Sequence, residues 1–347
     1  MIRIVLSAVT LLGISLPSVL AEDLTPLNTQ LLSTTQQTRI VELTAQIHAA
    51  NKSDTNVSRW VYRITSPPNT DSQRTVLRAN DEPIGFKQHK NGENAYYEFE
   101  TDIPPNRDVT KSVTFYVLLT PTDFTRIKSL SGRTEASDTL ARYTKPSPLI
   151  ESDSTEVQRV ANEAFTRAKT DLAKARAAYE FPARYLNFQL QNKAQGAKSA
   201  IVSRRGDCTE YACVFAALCR SQGLPARRIA AFNMSTNKKI STRQPNHDIA
   251  ELYLSSHGWI PVDPNLGKGQ YSGSIGFGRL GNSIILLNRE GAWVWSTWLP
   301  PNGYDKSASK PKLEYDVTWT AEVKAEGRAA DLFAKLKQLS AVSPTQE

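Results

Sequence analysis

The chain has 347 residues, of which 40% are hydrophobic, 22% charged and 8% aromatic, with 17 Gly, 19 Pro and 3 Cys. These proportions exclude a disordered chain, a collagen and a small disulfide-held scaffold, and the length suffices for about two domains, each with its own core. The formal charge of +8 is interspersed with acids. Even the densest basic stretch, Arg159 to Arg205, contains Glu163, Asp171 and Glu180, so it reads as a solvated helical face and no nucleic-acid partner is expected.

In chain order, Arg3 precedes an apolar run from Ile4 to Leu16, then the helix breaker Pro17, with Val19 and Ala21 at the −3 and −1 positions of a cleavage point. Residues 1–21 are thus expected to be a cleavable secretory signal peptide. The run is too short to span a bilayer, which takes about 20 apolar residues. A periplasmic or secreted chain, with no integral membrane segment after cleavage, is expected.

Leu27, Leu31, Val41, Leu43 and Ile47 follow a loose helical spacing, which predicts a helix over Leu27–Ala50. Short β-rich runs follow at Trp60–Ile64, Thr75–Leu77, Tyr96–Phe99 and Ser112–Leu119, separated by turn clusters such as Pro67-Pro68-Asn69 and Asn91-Gly92-Glu93. They predict an antiparallel sandwich-like domain over 22–147. The junction Lys145-Pro146-Ser147-Pro148 reads as a linker to a second domain, 148–300. There a helix capped at Asp153 or Ser154 is expected to run through Val157, Val160, Ala164, Ala168 and Leu172. Later, Ser283–Leu287 and Ala292–Trp298 predict a hairpin bearing Trp293, Trp295 and Trp298, and residues 301–347 a C-terminal strand (Leu313–Val323) and helix (Ala329–Leu339).

Cys208, Cys213 and Cys219 are an odd number within one short segment. On a helix, positions five or six apart lie roughly 8 to 10 Å apart, beyond the reach of a disulfide, so free thiols are expected. Gly206-Asp207 reads as a turn and cap, Cys208 to Gln222 as a helix, and Gly223 with Pro225 as its end. Cys208 thus falls in the first turn, where backbone N–H groups and the helix dipole favour a thiolate. Cys213 and Cys219 fall among Ala, Val, Phe and Leu and read as packing residues.

A thiolate nucleophile needs a base. His247 opens a strand that alternates through Ile249, Glu251 and Tyr253, turns at Ser255–Gly258 and returns through Trp259 to Pro264. Antiparallel pairing brings the two ends together, so Asp263 should face His247 and fix its tautomer. His48, His89 and His257 read as inert.

At these residues the chain resembles the transglutaminase-like superfamily, whose core is a papain-like α+β arrangement. The resemblance covers roughly Val157 to Gly267 and rests on Gly206-Asp207-Cys208-Thr209-Glu210-Tyr211-Ala212, Gly223-Leu224-Pro225-Ala226-Arg227, Asn246-His247 and Gly258-Trp259-Ile260-Pro261-Val262-Asp263-Pro264. It implies that Cys208 is the acyl-accepting nucleophile, His247 the base and then acid, and Asp263 the orienting carboxylate. Family members commonly carry an aromatic after the histidine, whereas here Asp248-Ile249 follows.

The expected fold class is α+β: a β-sandwich-like domain followed by a transglutaminase-like domain. The expected function is a cysteine protease, amidase or acyltransferase acting on a protein or peptide substrate, cell-wall peptide included. An inactive binding or scaffold protein of the cell envelope is the alternative. An envelope partner could dock on the β domain. No metal or other cofactor is expected, since no dense run of oxygen ligands of the kind calcium requires is present. The glycines at 269, 273, 276 and 278 read as a connecting loop and do not match a phosphate-binding motif.

Overall fold

The computed structural model describes residues 24–78, 87–130, 134–266, 276–291, 294–298 and 312–341. The signal-peptide reading of 1–21, Trp293 and the 267–275 part of the glycine loop lie outside the described residues.

The first part is built of β1 (Thr38–Asn51), β2 (Val57–Ser66), β3 (Gln73–Leu77), β4 (Lys87–Asn91), β5 (Asn94–Ile103), β6 (Asp108–Leu119) and the short β7 (Thr122–Asp123). The predicted helix over Leu27–Ala50 is not formed: a single 3-10 turn occupies Thr29–Leu31 and β1 takes the rest. Val41, Leu43, Ala45, Ile47 and Ala49 are buried in one cluster, with Glu42, Thr44, Gln46 and His48 between them. That is strand alternation, and a spacing of four, such as Leu43 to Ile47, satisfies both periods. β4 and β5 form a hairpin about Gly92-Glu93, with Gly92 at φ +61°.

The second part contains α1 (Ser137–Arg142), α2 (Thr155–Ala164), α3 (Asp171–Tyr185), β8 (Asn187–Phe188), α4 (Gly196–Ser203), β9 (Arg205–Gly206), α5 (Cys208–Ser221), β10 (Ala226–Asn233), β11 (Lys239–Thr242), β12 (His247–Leu254), β13 (Gly258–Val262), β14 (Arg279–Leu280) and β15 (Ile284–Arg289). It is followed by β16 (Val294–Trp298), β17 (Leu313–Gly327) and α6 (Ala329–Ala341). The single helix expected from Val157 to Leu172 is two helices. Thr170 accepts from the Ala173 N–H and starts α3 afresh inside the apolar run.

Two sheets, ordered β11-β17-β1-β6-β3 and β16-β2-β5-β4, enclose a core that includes Trp60, Tyr62, Phe99, Phe115 and Trp319. The sandwich therefore takes strands from both ends of the chain. β15 and β16 do not form the predicted hairpin: β15 pairs with β10 and β16 with β2, in different sheets. The buried β15 is held against β10, and its Ile285 and Leu287 reach the sandwich core.

The third sheet, β13-β12-β10-β15, is antiparallel and carries α5 on one face. Ala212 to Cys219 are all fully buried, packed with α2, α3 and α4 on one side and with Ala250 and Leu252 of β12 on the other. On the opposite face, Ile229, Ala231, Ile249 and Leu286 form their own cluster. The whole is α+β, and α5 is the helix around which the second part packs. Among the described residues, no helix is long and apolar enough to cross a membrane.

Candidate active site

The first turn of α5 is fixed by a reciprocal cap. Asp207 Oδ1 accepts from the Thr209 N–H at 3.0 Å, and Glu210 Oε2 accepts from the Asp207 N–H at 3.1 Å. The other Glu210 oxygen accepts from the Gln195 N–H at 2.8 Å. Burial pushes the Glu210 carboxyl above its ordinary range, against these two backbone donors. Gly206 makes room for this arrangement, since a Cβ there would lie 2.4 Å from the Glu210 Cβ. The preceding chain is held in place as well: β8 runs parallel to β9, and the Gln191 N–H donates to Asp207 Oδ2 at 3.0 Å. Cys208 is thereby the first residue of the helix, with a half-buried side chain. Its own N–H is one of those that the helix ladder leaves free.

β12 and β13 pair in the expected hairpin, Ala250 opposite Val262 and Leu254 opposite Gly258. Beyond the last pair of the ladder, His247 Nε2 lies 2.6 Å from Asp263 Oδ2, and both side chains are buried. Asp263 Oδ1 accepts from the Asn265 N–H at 3.1 Å. With Nε2 engaged by the carboxylate, Nδ1 is the nitrogen left for a further partner. The Cys208 side chain lies near the same imidazole and adds to its proton affinity. Burial lowers the proton affinity of His247, but Asp263 and then Cys208 raise it more, and its pKa is pushed up to about 10.

The structure thus brings Cys208, His247 and Asp263 together from a helix start, a strand start and a strand end. All three cysteines are free, and burial raises the Cys213 and Cys219 thiols far above their ordinary range. His257, at the hairpin turn, hydrogen-bonds Ser256 and the Ile127 carbonyl oxygen.

Sequence reasoning missed three groups beside this site. Asp248 accepts from the Thr209 hydroxyl at 2.6 Å and from Arg228 at 2.8 Å. Glu210 was read only as part of a motif, although S/T/D-x-x-E at a helix start signals a capping box. Tyr179 of α3 has its hydroxyl proton affinity raised by burial and by the charge of Asp263, and no spacing rule connects them. A cavity of about 340 Å³, lined in part by Arg74, Glu93, Arg227, Trp259 and Arg289, lies elsewhere and is bordered by none of Cys208, His247 and Asp263.

Residues 158–264 match the family model of the transglutaminase-like superfamily. This segment is a transglutaminase-like core. It holds α5, β12, β13 and the three residues just described. Among solved structures, a candidate cysteine protease from Cytophaga hutchinsonii is similar over 83% of this chain and 91% of its own, with a TM-score of 0.55 and 15% identity. At that identity the likeness is one of fold. The periplasmic domain of TgpA from Pseudomonas aeruginosa aligns over 66% of this chain and 88% of its own, with a TM-score of 0.36 and 14% identity. No curated protein sequence matches the chain. The transglutaminase-like core thus lies between sandwich strands that precede it and sandwich strands that follow it.

Proposed function

We propose that the protein is an exported cysteine enzyme that cleaves or exchanges amide bonds in a protein or peptide substrate, cell-wall peptide included. The observation that carries this reading is the single imidazole of His247, bonded at 2.6 Å to Asp263 and close enough to Cys208 at the start of α5 for the two to interact. With its pKa raised to about 10, His247 carries the proton that the leaving group needs at neutral pH.

In the proposed reaction, the Cys208 sulfur attacks the amide carbonyl carbon and the carbonyl π electrons move to oxygen. The Cys208 backbone N–H is the first donor available to that oxyanion. His247 gives its proton to the leaving nitrogen, the C–N bond breaks, and a thioester and a free amine result. Neutral His247 then takes a proton from water or from an incoming amine, which attacks the thioester. The products are a carboxylic acid or a new amide, and the sulfur is expelled as a thiolate beside the reprotonated imidazole, as at the start. Asp263 keeps the imidazole in one orientation and stabilises its charged form.

Export rests on the sequence of residues 1–21, and N-terminal sequencing of the mature protein should begin at Glu22. The sandwich is proposed to dock the catalytic part beside its substrate, either envelope polymer or a partner protein. The test of the chemistry is the rate of iodoacetamide labelling of Cys208 against pH, with His247→Ala beside it. Fast labelling at pH 6 that the substitution abolishes supports the activated pair. Equal, slow labelling in both proteins that rises only near the free-thiol value of about 8.5 refutes it and favours a binding protein built on the same core. With the pair established, a glutaminyl peptide offered with and without a fluorescent primary amine separates hydrolysis from acyl transfer.

A further inference from the structure

Asp248 occupies a position where the fold calls for an apolar side chain. Along β12, Ala250, Leu252 and Leu254 pack in the cluster beneath α5, while Ile249 packs on the opposite face. Asp248 belongs to the α5-facing row by strand alternation and is buried. An uncompensated carboxylate there is strongly unfavourable. Both of its oxygens are bonded. Oδ1 accepts from Arg228 at 2.8 Å, and Arg228 stands on β10 beside Ala230, the cross-strand partner of Asp248. Oδ2 accepts from the Thr209 hydroxyl at 2.6 Å.

Thr209 is the residue after Cys208, and Asp248 is the residue after His247. We infer that Thr209, Asp248 and Arg228 form a positioning clamp that sets the separation of the Cys208 sulfur and the His247 imidazole. The inference rests on the Cys208–His247 pair acting as proposed above. Arg228 ties the carboxylate to the middle of the sheet, and the carboxylate holds the helix start by a short, directional, charge-assisted bond. Deeper along the two elements, the contact between α5 and β12 includes apolar side chains such as Ala250 and Leu252, which constrain distance but not register. The groups facing Asp248 are accordingly Thr209 from the helix and Arg228 from the neighbouring strand, with Cys213 of α5 nearby. The clamp touches no reacting atom. It acts through geometry, and a misplacement of about 1 Å is enough to cost on the order of a hundredfold in rate.

The test uses the full chain and iodoacetamide, with labelling of Cys208 followed from pH 5.5 to 9 and urea midpoints measured in parallel. Thr209→Val keeps the shape and removes the hydroxyl, and it should slow labelling at pH 6 by about tenfold. Thr209→Ser should restore the rate to within about twofold. Asp248→Asn, which can accept from only one of its two donors, should slow it similarly, and it carries the test if Thr209→Val loses cooperative unfolding. Wild-type rates and pH profiles in both Thr209→Val and Asp248→Asn, while His247→Ala loses its fast labelling, overturn the clamp and leave the pair intact. If His247→Ala labels as the wild type does, the pair itself fails, and the clamp with it.

Discussion

Replacing Asp263 by Asn removes one charge from the site while leaving its shape, and the consequence can be worked from the geometry. The rise of His247 from 6.5 to about 10 corresponds to roughly 5 kcal/mol at about 1.36 kcal/mol per unit, net of the opposing burial and shared between Asp263 and Cys208. The Asp263 share is one short charge-assisted bond at 2.6 Å, for which about 1.5–3 kcal/mol is typical. Without it, burial pulls the imidazole toward its neutral form, and the activation proposed for Cys208 is weakened. Iodoacetamide labelling of Cys208 at pH 6 should therefore fall by roughly tenfold to a hundredfold, with a smaller loss at pH 9. Intact mass reads the reaction cleanly, because Cys213 and Cys219 are fully buried and one adduct reports Cys208. An Asp263→Asn protein with the wild-type rate and profile would show that the carboxylate does not hold the imidazolium, and the account of the site would be wrong.

The same bond predicts a pH-dependent stability. The pKa of His247 is raised in the folded state, so its contribution is fully present below about 6.5 and is lost as pH rises through about 10. The difference in melting temperature between wild type and His247→Ala should accordingly shrink from pH 6 to pH 10, and a constant difference would contradict this. Gly206→Ala places a methyl 2.4 Å from the Glu210 Cβ and should cost about 1–3 kcal/mol in urea unfolding, with slower Cys208 labelling as the cap is disturbed. Glu251→Gln removes a buried partner of Arg227, whose guanidinium also pairs with Glu93 and lies 3.7 Å from the Trp259 ring centroid. A loss of about 3–5 kcal/mol is expected, and a loss under about 1 kcal/mol would show the pair to be dispensable. Ending the chain after residue 311 strips β17 from between β1 and β11, and such a protein should show no cooperative unfolding transition by calorimetry.

The second part of the molecule was legible because its signals are local. Asp207 and Gly223 bracket α5 with standard caps, and the single hairpin of β12 and β13 is enough to bring His247 and Asp263 together at its open end. The short runs at Trp60, Tyr96 and Ser112 announced the sandwich for the same reason. β1 was misread because Leu43 and Ile47 fit both a helix and a strand, and only its neighbours β6 and β17 decide between them. The separate sheets of β15 and β16 are likewise decided by distant partners, β10 and β2. Thr209 and Asp248 are 39 residues apart, and nothing in either local pattern points to the other. What remained unread was tertiary pairing, which no window of sequence contains.

The place of β17 also bears on the order of synthesis. Thr38 lies opposite Gly327 and Asn51 opposite Leu313, so this sheet cannot close until β17 has been synthesised. Closing so long a loop is slow, and until it happens β1 presents an open edge along its length. In the chain, α5 with Cys208 lies between these two strands. A nascent chain therefore has Cys208 in hand before it has the scaffold that frames it, and closure of the sandwich is timed by β17.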